Sequence, residues 1–422
     1  LIIFLLFIIL LLLGVPIAFA LLLPSVAACI IYPEIPIQLM SARLANAFLS
    51  SDLLAIPLFI FAAQILSDIK ICDAIFEFCN KCVGHVRGGL AHVNVLGSIV
   101  FAGMSGSALA DAASLGKVEI EAMSKQGYPK DYSAALTAAS STIGPIIPPS
   151  IPLIVFGAIA QVSIGRLLIG GFLPGIVMAI MIMIQVALVA KRRGFPKTKF
   201  VGFRQLWKST CQAIPGLLAP IILVGGMLFG IFTPTEAATV MVVYAIFIGF
   251  MMKTLTLKEL WQSFCKSALE SGAMLVTFFG ASLISLLVVR LHVVDFVIKF
   301  VTQCTESPLV LLLIFNILLL IMGCFLTVGA CIVLLTPIFV PLAQIYGIDP
   351  VHLGVVMILN LQIGGLTPPY GVIMFVTCRV AEINMRDFLK EVWPFIIGLV
   401  VALLIVTYVP QTVLWLPSLF IR

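Results

Sequence analysis

Apolar residues run in blocks of about twenty along nearly the whole chain, the length a helix needs to cross the hydrocarbon core of a bilayer. Short clusters of charged and polar residues separate the blocks. None of them shows the alternation of a lipid-facing strand. The pattern predicts an all-α polytopic membrane protein. The early segments are Ile2 to Ile31, weakened at Gly14-Val15-Pro16, Leu53 to Ile69, and a shorter Ile71 to Val86 that carries Glu77 and Lys81 and is expected along the interface. Gly88 to Leu115, Ser133 to Ala160 and Ile164 to Ala190 follow. The second half offers Gly216 to Gly230, Thr235 to Met252, Ala268 to Val289, Leu309 to Met322, Gly323 to Ala343, Leu353 to Val380 and Phe395 to Val409. The first block has no charged residue ahead of it, so it is read as a span rather than a cleaved signal.

Two of these blocks are interrupted. "STIGPIIPPSIPL", Ser141 to Leu153, holds a glycine and four prolines. "IGGLTPPYGVIMF", from Ile363, holds a similar break. Ile143, Gly144, Pro148 and Pro149 stand against Ile363, Gly364, Pro368 and Pro369, a constant spacing of 220 residues. The same spacing sets Gly103 against Gly323, Ala110 against Ala330, and Ser140 against Asn360. One register through separate features marks an internal repeat. The count of crossings between equivalents is odd, so the halves are expected to be inverted in the membrane, the layout of secondary transporters.

The physical sense of the breaks follows from the backbone. Proline has no N–H to give and excludes a helical partner. A carbonyl left unpaired in hydrocarbon costs several kcal/mol and survives only where protein, water or an ion meets it. Two breaks in register therefore point to carbonyl cradles for a cation such as Na⁺. The segments ahead of them, Gly88 to Leu115 and Gly323 to Ala343, carry glycine and hydroxyl clusters at mid-length and read as re-entrant hairpins whose tips meet the breaks. Ser105 and Ser107 in "GMSGSA" are candidates for Na⁺ or substrate, and small residues there also let helices approach closely. Thr367 places a hydroxyl at the second break. Asp111 either bonds backbone N–H groups of its hairpin or touches the transport path.

Other motifs have local explanations. Thr233, Pro234 and Glu236 form a capping box with proline at the first helical position. Arg290, His292 and Asp295 end a span and snorkel to the interface. Arg379 and Glu382 stand near a helix end. The ten cysteines are scattered, and Cys79 and Cys82 form a single C-x-x-C without a second pair, which argues against zinc. No His or P-loop motif supports an enzyme. Composition agrees: 62% of residues are hydrophobic and 10% charged, against about 25% charged in soluble proteins. The net charge of +6 is attributed to cytoplasmic loops, not to nucleic-acid binding. The stretch 191–208 has seven Lys or Arg and no acid, which sets it in the cytoplasm. Lys253, Lys258 and Lys266, and the cluster Lys70, Lys81 and Arg87, fall on the same side.

"RGGLAHVNVLGSIVFAGMSGSALADAASLG" (Arg87 to Gly116), "IGPIIPPSIPLIVFG", "FTPTEAA" and "NLQIGGLTPPYG" together resemble the large membrane subunit of TRAP, or tripartite ATP-independent periplasmic, transporters. The resemblance spans essentially the whole chain. It implies Na⁺-coupled import of an organic acid across the bacterial inner membrane, with a periplasmic binding protein delivering substrate and a small membrane subunit as partner. It implies an elevator-type fold with a scaffold and a moving domain. The organisation then reads 1–190 as the first inverted repeat (scaffold 1–86, hairpin and broken helix 87–160), 191–208 as a basic cytoplasmic linker, and 209–422 as the second repeat (scaffold 209–308, hairpin and broken helix 309–380, C-terminal helix 385–422). By motif, Na⁺ falls on Ser105, Gly106 and Ser107 with Gly144, Pro145 and Pro148. A second Na⁺ falls near Thr327 to Gly329, with Gly365, Thr367 and Pro368. Substrate, a sialic acid before a C4-dicarboxylate, lies between the tips, in reach of Ser105, Ser107, Thr327 and Asn360. Many relatives carry an acid where this chain has Thr327, so a scheme needing a carboxylate there is in doubt. The rival readings are a one-component Na⁺/dicarboxylate symporter, an ion channel and an intramembrane enzyme.

Overall fold

The computed structural model describes residues 6–7, 9–10, 13–32, 36–48, 51–69, 71–197, 202–291 and 293–420. His292, Lys70 and the first residues of the opening span lie outside the described residues. All regular structure among the described residues is helical. In chain order the α-helices are α1 (Ile17–Ile31), α2 (Ile37–Phe48), α3 (Ala55–Asp68), α4 (Ile71–Val83), α5 (Gly89–Ser105), α6 (Ala108–Ala113) and α7 (Leu115–Lys125). Then come α8 (Lys130–Ser141), α9 (Ile151–Ala160), α10 (Ile164–Gly170), α11 (Phe172–Arg193), α12 (Phe203–Leu228), α13 (Pro234–Met251) and α14 (Leu257–Arg290). The last are α15 (Val293–Cys304), α16 (Pro308–Phe325), α17 (Val328–Ile345), α18 (Pro350–Gly364), α19 (Val372–Ala381), α20 (Met385–Tyr408) and α21 (Gln411–Phe420). Seven stretches among the described residues are long and apolar enough to span a bilayer.

The interrupted blocks come out as two hairpin-and-break units. In the first, α5 ends at Ser105, the chain turns at Gly106, and α6 and α7 return; α8 then stops at Ser141 and α9 resumes at Ile151. In the second, α16 ends at Phe325, α17 returns, and α18 and α19 flank the gap from Gly365 to Gly371. The helices leading into the breaks form the centre of the molecule. Tyr132 to Ser141 of α8 and Val351 to Gly364 of α18 are buried without interruption. In α18 apolar residues occupy every side, whereas α8 buries small and hydroxyl residues, Ser133, Thr137, Ser140 and Ser141 among them. In a second cluster of buried residues, α1 contributes Ala20, Leu21 and Ala28 and α14 Leu283, Ile284 and Leu287.

Several boundaries differ from expectation. The basic stretch is less of a loop than composition implied, because α11 runs on through Lys191, Arg192 and Arg193 and α12 starts at Phe203. Cations in a last helical turn are favoured by the dipole, so a basic run extends α11 instead of ending it. The expected C-terminal helix divides after Tyr408, next to Pro410. α4 packs one face inward through Ile71, Cys72, Ile75 and Cys79, and Gly216 of α12 makes room for Ile71 and Ile75. It meets α3 at 72°. The capping box forms as expected, with the Thr233 N–H donating to Glu236 Oε2 at 2.8 Å and the Glu236 N–H to Thr233 Oγ1 at 3.3 Å.

Candidate functional site

Both tips meet both breaks around one cavity of about 360 Å³. Hairpin one contributes Gly106 to Leu109, hairpin two Leu326 to Ala330, the breaks Pro145 and Gly365, and α14 closes the side with Met274 and Phe278. The close approach is built from residues without side chains. Gly106 has φ +60°, the left-handed region, and a Cβ there would collide with the Pro149 carbonyl. Gly144 lies against the backbone of Ser107. In the second unit Gly323 and Gly364 face each other, backbone on backbone, and the Tyr370 N–H donates to the Cys324 carbonyl at 3.2 Å. Both Pro-Pro peptides, 148–149 and 368–369, are cis.

The electrostatics come from the main chain. No charged side chain lines the cavity among the described residues. The helices α9, α17 and α19 start at its wall, as does the short α6. A helix N-terminus carries about half a positive charge, which favours an anion. α5, α8, α16 and α18 end at the same tips and breaks, bringing carbonyl ends that favour a cation.

Carbonyl accounting narrows the cation expectation. The Ser150 hydroxyl donates to the Pro145 carbonyl. The Ile373 N–H donates to the Gly365 carbonyl at 3.1 Å. Those two oxygens are therefore already paired. The carbonyls of Gly144, Pro148 and Pro149, and of Thr367 and Pro368, accept no hydrogen bond from any described residue. These remain available to an ion.

The sequence candidates divide accordingly. Gly106, Ser107, Pro145, Thr327, Gly329 and Gly365 line the cavity together. Ser105, Gly144, Pro148, Thr367 and Pro368 stand outside its wall. Ser105 is buried behind the tip, and the Thr367 hydroxyl donates to the Ile363 carbonyl at 2.9 Å. Ser107 caps α6, accepting the Ala110 N–H at 3.3 Å. Asn360, expected at the substrate, is buried off the cavity wall and donates to Asn316 Oδ1 at 2.9 Å. Asp111 differs from both of its expected roles: it is buried off the cavity, and no backbone N–H of a described residue donates to its carboxylate.

Sequence reasoning missed Gln362 and Thr277, both on the wall, and the polar ties behind the tips. Asn94 donates to Thr137 Oγ1 at 2.7 Å and accepts from Ser140 at 2.7 Å, joining α5 to α8. Asn316 joins α16 to α18 through Asn360, and to α20 through Thr407 at 3.0 Å. An amide inside an apolar block was the available signal.

The comparisons with known proteins agree with this architecture. Residues 4–412 match the family described as tripartite ATP-independent periplasmic transporter, DctM component. The sialic acid TRAP transporter large permease protein SiaM of Vibrio cholerae is 38% identical over 97% of this chain and 96% of its own. The C4-dicarboxylate TRAP transporter large permease protein DctM of Pseudomonas aeruginosa is 37% identical, covering 87% and 86%. The sialic acid TRAP transporter permease protein SiaT of Haemophilus influenzae is 40% identical over 90% of this chain, which spans 62% of that longer protein. Among solved structures, the YdaH transporter of Alcanivorax borkumensis superposes with a TM-score of 0.63 at 14% identity, covering 87% and 86% of the two chains, a likeness of fold. By sequence over nearly its full length and by its spans, the chain belongs to the DctM component family of TRAP transporters, the large permeases, and is a multi-pass protein of the bacterial inner membrane.

Proposed function

We propose that the chain imports an organic acid by Na⁺ symport, receiving it from a periplasmic binding protein and carrying it inward by an elevator motion of the two hairpin-and-break units against the remaining helices. The observation that carries this reading is the cavity where helix N-termini and both tips converge without a charged side chain, with the unpaired break carbonyls on residues outside its wall. Na⁺ at the breaks neutralises the anion, and the N-termini orient its carboxylate. Each net positive charge moving inward gains about 2.3 kcal/mol per 100 mV. The family description names a tripartite, periplasmic system, which supports a small membrane subunit and a soluble binding protein as partners. The basic segment between α11 and α12 then faces the cytoplasm. Relatives named for sialic acid and for C4-dicarboxylates lie at nearly equal identity, 38% and 37%, so identity does not choose the acid.

The test is uptake into proteoliposomes holding the chain and its small subunit, under an inward Na⁺ gradient, with and without the binding protein. Uphill accumulation that needs both Na⁺ and the binding protein is expected. Uptake without the binding protein favours a one-component symporter, and downhill flux alone a channel. Thr367→Ala is expected to raise the Na⁺ concentration required; an unchanged Na⁺ dependence in well-folded protein removes Thr367 from the ion site.

A further inference from the structure

Hydrocarbon makes up most of the cavity wall: Leu109, Val155, Phe278, Leu326, Val333 and Ile373 reach it from different segments. Among the described residues only Ser107, Thr277, Thr327 and Gln362 bring polar side chains. Two of these are engaged locally, Ser107 as a cap and Thr277 in donating to the Ala273 carbonyl at 2.9 Å. Gln362 differs. Its residue is only 2% exposed, yet its side chain opens onto the cavity and no described residue hydrogen-bonds it. The repeat sets Thr142 at the equivalent place in the first half, where the hydroxyl donates to the Ala139 carbonyl at 2.6 Å. The fold therefore tolerates a short, internally bonded side chain at this position, and the amide at 362 answers to something in the cavity.

Chemistry limits what that is. A polyhydroxylated sugar acid would press several hydroxyls against hydrocarbon, each costing roughly 1–3 kcal/mol unpaired. A second carboxylate would have to share the Na⁺ and helix N-termini that serve the first, with no cationic side chain to add, and burying a charge left uncompensated costs several kcal/mol. Resting on the reading of this cavity as the substrate site, we propose that it selects a monocarboxylate with an apolar body, and that Gln362 hydrogen-bonds the oxo, hydroxyl or amide group beside the carboxylate.

The experiment is calorimetric binding to the purified full-length chain with its small subunit, in NaCl and in KCl. The probes are 4-methyl-2-oxopentanoate, 4-methylpentanoate, succinate and N-acetylneuraminate. 4-Methyl-2-oxopentanoate is expected to bind tightest, only in Na⁺, and about tenfold tighter than 4-methylpentanoate, the effect of one hydrogen bond near 1.4 kcal/mol. Tighter Na⁺-dependent binding of succinate or N-acetylneuraminate overturns the substrate class and leaves the site reading standing. No Na⁺-dependent binding of any probe overturns both. Gln362→Leu is expected to remove the tenfold ratio between the oxo acid and 4-methylpentanoate. An equal loss for both acids makes Gln362 structural and overturns its assignment. If Gln362→Leu does not fold, the wild-type comparison still decides: equal affinity for the two acids leaves no polar group recognised and overturns the assignment.

Discussion

From Ser141 to Ser150 every residue of the first break is buried, whereas in the second the burial lapses from Thr367 and Tyr370 reaches 62% exposure. The tips follow suit: Ser105 and Gly106 are buried, Thr327 and Gly329 exposed. The shared Ile-Gly and Pro-Pro positions do not foretell this, since they are the same in both breaks. The neighbours decide it. Gly171, just ahead of α11, and Gly175 within it let Ile146 and Ile147 nest close, and Pro220 of α12 presses on Gly103. No Cβ at Gly329 would meet any atom within 4 Å. One motif thus occurs once sealed and once open, and the elevator proposed above requires the two exposures to exchange.

The widest contrast lies at the tip glycines. Gly106→Val combines a left-handed backbone, costing a β-branched residue upward of about 1–2 kcal/mol, with a collision at Pro149, and is expected to abolish uptake and folding yield. Gly329→Ala meets open space and is expected to leave both near wild type. Equal damage from the two, measured as transport per purified molecule, would break the comparison. Next comes labelling. In a background lacking the ten native cysteines, Thr327→Cys is expected to react quickly with a membrane-impermeant maleimide and Ser105→Cys hardly at all. Similar rates for both would mean the seal is not where burial puts it. The smallest effect is at the break caps. Ser150→Ala leaves the Pro145 carbonyl unpaired at a buried site, a loss of roughly 1–3 kcal/mol readable as lower thermal stability. Tyr370→Ala, at the equivalent position of the open break, is expected to shift stability by less than about 0.5 kcal/mol.

What could be seen in the sequence was whatever broke a rule. The two Pro-Pro stretches and the glycine-serine tip violate helix continuity in hydrocarbon, so their spacing gave away hairpins and breaks. Lone prolines did not break helices: Pro215 and Pro220 remain inside α12, Pro337 and Pro341 inside α17. Neighbouring helices can satisfy a single freed carbonyl. Sequence could also not tell which polar residue of a buried helix faces the cavity. Asn360 and Gln362 are two positions apart on α18, and the helical turn sends one to Asn316 and the other to the wall. The paired carbonyls of Pro145 and Gly365 were out of reach for the same reason: their donors, Ser150 and Ile373, come from the far side of each gap.

The asparagine ties bear on how the protein is made. Asn94 enters the membrane 43 residues ahead of Thr137, and Asn316 44 residues ahead of Asn360 and 91 ahead of Thr407. During synthesis each amide must wait beside lipid or in the insertion machinery until its partner has been translated, several seconds at the usual pace. Each first arm can settle only after the helix that follows its hairpin has arrived, so the two halves mature as paired units rather than span by span.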